Sequence, residues 1–361
     1  MKILIACPSH QSYGVNSAII RAFVDFGCET DISTWSESYT FLSRTKLFFC
    51  SQISSIVESF AKPGIMVGEF QRDMIMEYNK KLLQTVNATK PDVLLALKGD
   101  ALLPDTIKKL RENSNIPLVL WCYDSAVRFR NILNGGKYYH LFYTCEPSDI
   151  PELQKYGIRA KFLPMAYDPH TYFRLEDKTV VRDVCFVGTL INYPQRRRVL
   201  GEIISRYNEL NIEVWGPTWS IYYPFSLYEY LITQRDLRMH LHNHGIYPRE
   251  VNKIYNTSKI CLNTHHPQLK EGLNPRVFEI MGAGGFQLVD YKKKLEELFN
   301  VEKEMVYYKN EDDLLEKVGY YIENEDERKK IAERGMDAVK KKHTYKHRAQ
   351  VILDDIKKIR Q

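Results

Sequence analysis

Arg276 and Glu279 stand three residues apart in the stretch KEGLNPRVFEIMGAGGFQLVDY, residues 270–291, directly behind Asn274 and Pro275. Asn274 suits a helix N-cap, and Pro275 suits the first helical position, where a missing N–H costs nothing. A helix is therefore expected from about Pro275 to Ala283, ended by Gly284 and Gly285, with FQLVDY returning as a buried strand. Such a helix start presents free N–H groups and a partial positive charge, a good seat for phosphate. Arg276 in the first turn adds a fork of donors for a diphosphate, and Glu279, one turn on, can accept two hydrogen bonds from a ribose 2′,3′-diol. The plainer account of the same residues is an i,i+3 surface ion pair followed by a glycine C-cap.

Asp124 closes the apolar run LVLWCYD. A carboxylate at a strand end could take a proton from a hydroxyl, or could only cap the helix that follows. His10 and Gly14 lie in CPSHQSYGVNSAII, after the first apolar run; Gly14 is expected for close backbone approach and His10 as an acid–base group. His265 and His266 precede Pro267 without carboxylate or thiol partners at ligand spacing, so no metal site is expected. The aromatic stretch PTWSIYYPFSLYEY, residues 217–230, offers faces for a base or sugar, or for ordinary packing.

Positioning these residues requires a substantial scaffold. A chain of 361 residues and 42.4 kDa suits two domains. The 44% hydrophobic and 27% charged fractions exclude disordered and fibrous classes. Short β-branched runs alternate with helical periodicity: KILIAC, ETDIST, DVLLALKG, LVLWCYD, HLFYTC and AKFLPM. After LPMAYDPHTYFRLEDKTVVRD the alternation restarts with DVCFVGTL, IEVWG, ICLNTHH, FQLVDY and EMVYY. Runs apolar on both faces are the mark of parallel strands, so the class is α/β with two Rossmann-like sheets whose strand ends face one cleft. The expected division is 1–168, a linker 169–182, a second domain 183–342, and a helical segment 343–361. Residues 36–90 form an insertion whose later part, FQRDMIMEYNKKLLQTVNATK, has amphipathic helical spacing.

The net charge of +6 and pI near 8.7 are spread along the chain, without basic blocks interleaved with aromatics as nucleic-acid binding demands. The start MKILIACPSH reads as a strand rather than a signal peptide, and no window approaches a membrane span, so a cytoplasmic protein is expected. Seven scattered cysteines, with no C-x-x-C, read as buried reduced thiols.

EGLNPRVFEIMGAGGFQLVDY resembles the donor-site segment of GT-B glycosyltransferases, most closely the CgeB-like (spore maturation, glycosyltransferase-like) group. LPMAYDPHTYFR is similar to the interdomain crossing of that fold, and CFVGTLINYPQRRRVL to the glycine turn and basic helix opening its second domain. HGIYPREVNKIYNTSKICLNTHH resembles its base-holding segment, and VLLALKGDALLPDTIKKLRE with LVLWCYD its CgeB-type first domain. The resemblance implies a GT-B fold in which the C-terminal helix returns to the first domain. It also implies that Gly188 and Thr189 approach the donor diphosphate, Arg196 or Arg197 reaches its oxygens, and Gly245, Ile246 and Tyr247 line the base. Asn274 and Arg276 would serve the phosphates and Glu279 the ribose. Thr189 stands where many retaining relatives carry arginine, which leaves the basic residue open between Arg196 and Arg197.

The spacing of Glu271 and Glu279 is similar to the E-x7-E arrangement of retaining GT-B enzymes, in which the first glutamate contacts the transferred sugar. Asp124 instead resembles the catalytic aspartate of the inverting T-even phage DNA β-glucosyltransferase, so both stereochemical outcomes stay open. The implied activity is transfer of a sugar from a nucleotide-diphosphate donor, with UDP as the expected carrier. The acceptor hydroxyl could belong to a protein, glycan, wall polymer or modified DNA base. His10 and Gly14 would fall on the acceptor side. Neither a metal nor any cofactor beyond the nucleotide sugar is implied. The alternatives are a non-hydrolysing UDP-sugar epimerase, which needs several acid–base groups around the sugar, and a noncatalytic sugar-nucleotide or glycan-binding coat protein.

Overall fold

The computed structural model describes residues 1–8, 14–35, 65–176, 179–191, 193–218 and 235–360. The chain forms two compact units: Met1–Met165 with Pro267–Gly272 and Tyr345–Gln361, and Ala166–His266 with Leu273–Thr344.

Unit 1 is built on a parallel sheet of β1 (Lys2–Cys7), β2 (Glu29–Thr34), β3 (Val93–Leu97), β4 (Leu118–Cys122), β5 (Leu141–Thr144) and β6 (Ala160–Phe162), in the order β2-β1-β3-β4-β5-β6. Every residue of β3, β4 and β5 is buried, which is why these strands read as unbroken apolar runs. The later part of the 36–90 insertion forms helix Ile65–Thr89, which packs Tyr78, Leu82 and Val86, one turn apart, into this core. Helix Tyr345–Arg360 packs against helix Val15–Val24. Its Arg348 donates to the carbonyls of Pro164 and Met165 at 2.8 and 3.0 Å. Its Asp355 accepts from Tyr143 and Lys161 at 2.9 and 2.7 Å.

Unit 2 carries β7 (Arg182–Val187), β8 (Ile212–Trp215), β9 (Leu241–His242), β10 (Ser258–Asn263), β11 (Gln287–Asp290) and β12 (Val306–Tyr308), again parallel, in the order β12-β11-β10-β7-β8-β9. Five of these are the runs expected from the sequence. β9 is the addition: only two half-buried residues long, it has no apolar run to announce it. Val184, Phe186, Ile260, Leu262 and Leu288 fill the core against helices Pro194–Arg206 and Glu311–Glu323.

The expected linker at 169–182 departs from the structure, because residues from Ala166 onward belong to unit 2. Tyr167 bridges to Thr344, and the backbone N–H groups of Phe173 and Leu175 donate to Asn252 and Asn256 at 3.0 and 2.9 Å. Residues 267–272, expected in the second domain, belong to unit 1, where three of their N–H groups bond the Glu146 carboxylate. The six described cysteines are buried and in no disulfide; Cys50 lies outside the described residues. Among the described residues, no helix is long and apolar enough to cross a membrane.

Candidate functional site

Helix Pro275–Gly282 starts as its sequence requires. The Asn274 Oδ1 accepts the Val277 N–H at 3.2 Å, and Gly284 takes the left-handed φ of 72° that ends the helix. Asn274 is itself held by Asn263 at the end of β10: each amide donates to the other's oxygen, at 3.0 and 3.2 Å. The helix start is thus locked to the sheet before any ligand arrives.

Two guanidinium groups converge beside it. Arg276 donates to the Val187 carbonyl at 2.6 Å and the Thr264 carbonyl at 3.2 Å. Arg196 donates to the same Thr264 carbonyl at 3.0 Å and to the Thr189 carbonyl at 2.9 Å. Both lie over the Phe186 ring, at 5.7 and 5.8 Å. Among the described residues neither has a carboxylate in ion-pair range. Burial, and then the charge of Arg276, pull Arg196 down to about 9. Among the described residues the buried Arg196 Nε has no hydrogen-bond partner. Two like charges bonded to neutral carbonyls suit an anionic partner. Of the two arginines left open for the diphosphate, Arg196 has a buried guanidinium that also braces the Thr189 turn.

Gly188 has a specific reason to lack a side chain: a Cβ there would lie 2.5 Å from Nη1 of Arg276. Thr189 donates its hydroxyl to Pro217 at 3.2 Å, and Arg197 donates to the Leu190 carbonyl at 2.8 Å. Gly245 and Tyr247 are exposed and Ile246 half-buried, on the turn between β9 and helix Pro248–Asn256; the Tyr247 N–H donates to Glu250.

Glu279 lies one turn into its helix and makes no surface ion pair with Arg276, whose donors go to carbonyls. Burial raises its carboxyl to about 7, while the Arg276 charge and a hydrogen bond from the Tyr172 hydroxyl pull the other way. Tyr172 stacks on buried Tyr255 at 6.3 Å. His265, which has no carboxylate at ligand spacing in sequence, meets one in the fold: its Nδ1 lies 2.7 Å from Asp290 Oδ1, and burial holds the imidazole below its usual range. Twenty-five positions separate that pair, so no local spacing shows it.

In unit 1, Asp124 follows β4. Its Oδ1 accepts from the Gln268 amide at 2.9 Å, and its Oδ2 lies 3.7 Å from Lys98 Nζ. Lys98 also meets Asp100 at 3.0 Å, and its φ of 68° is strained for a residue with a side chain. The capping duty weighed for Asp124 falls to Asp149, which accepts from the Ala126 N–H and Ser125 hydroxyl at 2.6 and 3.1 Å. Glu271 is half-buried, its N–H bonded to both oxygens of Glu146 at 3.2 Å. Among the described residues nothing lies within 4 Å of where a Cβ on Gly14 would stand, and its φ of 115° calls for glycine. His10 and nearly all of the aromatic stretch 217–230 lie outside the described residues.

The structure therefore gathers Gly188, Thr189, Arg196, Asn274, Arg276 and Glu279 in unit 2, and Asp124 and Glu271 in unit 1. The sequence missed Asn263, Tyr172, Lys98, Gln268 and Glu146. Each acts through a partner distant in sequence, and only the Lys-Gly-Asp turn at 98–100 carried a local signal.

Residues 195–354 match a family model described as glycosyl transferase-like. The chain is 21% identical over 263 residues to the spore protein CgeB of Bacillus subtilis, covering 69% of this chain and 78% of that one. It superposes on sucrose-phosphate synthase from Thermosynechococcus elongatus with a TM-score of 0.69 at 10% identity, covering 99% of each chain. For Anabaena HepE in complex with UDP the TM-score is 0.64 at 13% identity, covering 99% of this chain and 100% of the other. The fold is that of GT-B glycosyltransferases, two Rossmann-like units, and the resemblance to the CgeB-like group stands.

Proposed function

We propose that this chain is a glycosyltransferase that binds the diphosphate and ribose of a UDP-linked sugar on unit 2 and uses Asp124 of unit 1 as the acceptor-side base. The observation carrying the donor half is the pair Arg196 and Arg276, both bonded to the Thr264 carbonyl beside a pre-capped helix start and, among the described residues, with no carboxylate in ion-pair range. That arrangement suits a diphosphate, whose charge it would offset as the sugar departs. Glu279, braced by Tyr172, suits the ribose diol. The match to the glycosyl transferase-like family model and the similarity to a UDP complex support the same class of ligand.

In the transfer step an acceptor hydroxyl attacks the anomeric carbon. Asp124 takes its proton, the new carbon–oxygen bond forms, and the bond to the diphosphate breaks with its electron pair leaving on phosphate oxygen. Helix N–H groups and guanidinium charge meet that developing charge, the part a divalent ion plays in other glycosyltransferase folds. Incubation with a panel of nucleotide sugars, following release of nucleoside diphosphate with and without candidate acceptors, tests the proposal. Release of UDP from one UDP-sugar is expected. Tight UDP binding with no turnover under any acceptor would favour a noncatalytic binding protein.

A further inference from the structure

Glu146 follows β5 directly, and its side chain is fully buried. Its carboxylate accepts backbone N–H groups from Ser148 at 3.0 Å, Lys270 at 2.7 Å, Glu271 at 3.2 Å and Gly272 at 3.0 Å. Among the described residues it has no cationic partner in ion-pair range. Its charge is met by backbone dipoles alone, three of them successive and more than a hundred residues away in sequence. Gly272 permits this approach, since a Cβ there would collide with the Cys145 carbonyl oxygen. The same short segment, Pro267–Gly272, carries Gln268, whose amide holds Oδ1 of Asp124.

We propose that Glu146 is a positioning residue for the acceptor-side base: by gripping the backbone of residues 270–272 it keeps Gln268 on Asp124. The inference rests on the assignment of Asp124 as that base. Oδ1 of Asp124 is then held by an amide donor, and Oδ2, 3.7 Å from the Lys98 ammonium, receives the proton. A base oriented by a third group is the common logic of proton-transferring sites. Without the carboxylate, the N–H of Ser148 and the three of residues 270–272 lose their charged acceptor, the segment relaxes, and Gln268 no longer fixes the rotamer of Asp124.

The test compares Glu146→Gln, Gln268→Ala and the double variant in UDP-sugar turnover, with thermal melting and UDP titration alongside. Each single change is expected to lower kcat by about a hundredfold, as a misplacement of the base should, with UDP affinity unchanged. The double variant is expected to be no slower than the slower single one, because both act through one contact. Gly272→Ala, which keeps both side chains and pushes the backbone off Cys145, should reproduce the loss. It carries the cycle with Gln268→Ala if Glu146→Gln does not fold. Additive losses, or a lowered melting temperature with unchanged kcat, would overturn the proposal. A wild type that neither binds UDP nor turns over UDP-sugars would remove the functional assignment instead. The grip is then read from the Gln268 side-chain amide resonances, exchange-protected in the wild type and unprotected in Glu146→Gln; protection in both would overturn it.

Discussion

Nucleotide binding should strengthen as pH rises from 6 to 8, because the carboxylate proposed to receive the ribose is one that burial keeps partly protonated. Glu279 moves from the ordinary glutamate value of 4.5 to about 7, with burial as the leading cause and with Arg276 and Tyr172 opposing it. If the ionised form accepts the diol, about a tenth of the protein is competent at pH 6 and about nine-tenths at pH 8, a change in apparent affinity of about tenfold. Each nucleotide bound near pH 6 should release close to one proton, which calorimetry in buffers of different ionisation enthalpy measures directly. The same shift acts on stability with a definite sign. A carboxyl whose folded value lies above its unfolded value favours the fold while protonated, so its contribution is present below 4.5 and lost as pH rises towards 7. The difference, 7 less 4.5, corresponds to about 3 kcal/mol at most. Glu279→Gln should flatten both slopes and, at pH 8, weaken UDP binding while stabilising the fold against urea. A pH-independent affinity in the wild type, or a slope that persists in Glu279→Gln, would refute the placing of the ribose on this residue.

Arg276→Ala should weaken UDP binding by about 1 to 3 kcal/mol with the fold retained, since a charge-assisted partner is lost; titration calorimetry measures it. Asp124→Asn should leave UDP affinity in place and lower turnover by about a hundredfold to ten-thousandfold, while NMR of the product's anomeric configuration reports inversion. If Glu271→Gln abolishes transfer and Asp124→Asn does not, the retaining course holds. Asp355, although burial opposes its ionisation, is held at about 2 by Lys161, Lys358 and Tyr143. Its contribution should therefore be present above the ordinary aspartate value of 3.8 and lost as pH falls towards 2, and Asp355→Asn should remove that part of the acid unfolding transition.

What could be read in the chain was what neighbours in sequence decide. Residues 274–285 declare their helix through an N-cap, a proline and two glycines, and the structure starts and ends it within a residue of that expectation. The buried strands were legible because parallel sheets covered on both faces demand uninterrupted apolar runs. The site's second layer was not. The amide exchange between Asn263 and Asn274 looks like two ordinary polar residues until the chain is folded. Arg196 announced itself by charge, yet burial turned it onto carbonyls. Glu146 sits in CEPSD with nothing to mark it, because its partners arrive from residues 270–272. The start of unit 2 was misjudged for a similar reason: Asn252 and Asn256 claim the backbone that proline and mixed charge had suggested was a linker.

The excursion of Pro267–Gly272 and the return of helix Tyr345–Arg360 bear on the order of events at the ribosome. Unit 2 lies within the single stretch 166–344, whereas unit 1 takes parts from both sides of it. The first 165 residues therefore emerge early but cannot close their packing. The β5 end waits for amides made more than a hundred residues later, and Tyr143 waits for Asp355. Closing such long loops is slow relative to local structure, so the middle of the chain should reach its native core before the beginning does. A shortened chain that stops after Met165 would keep the strands and lose what seals them.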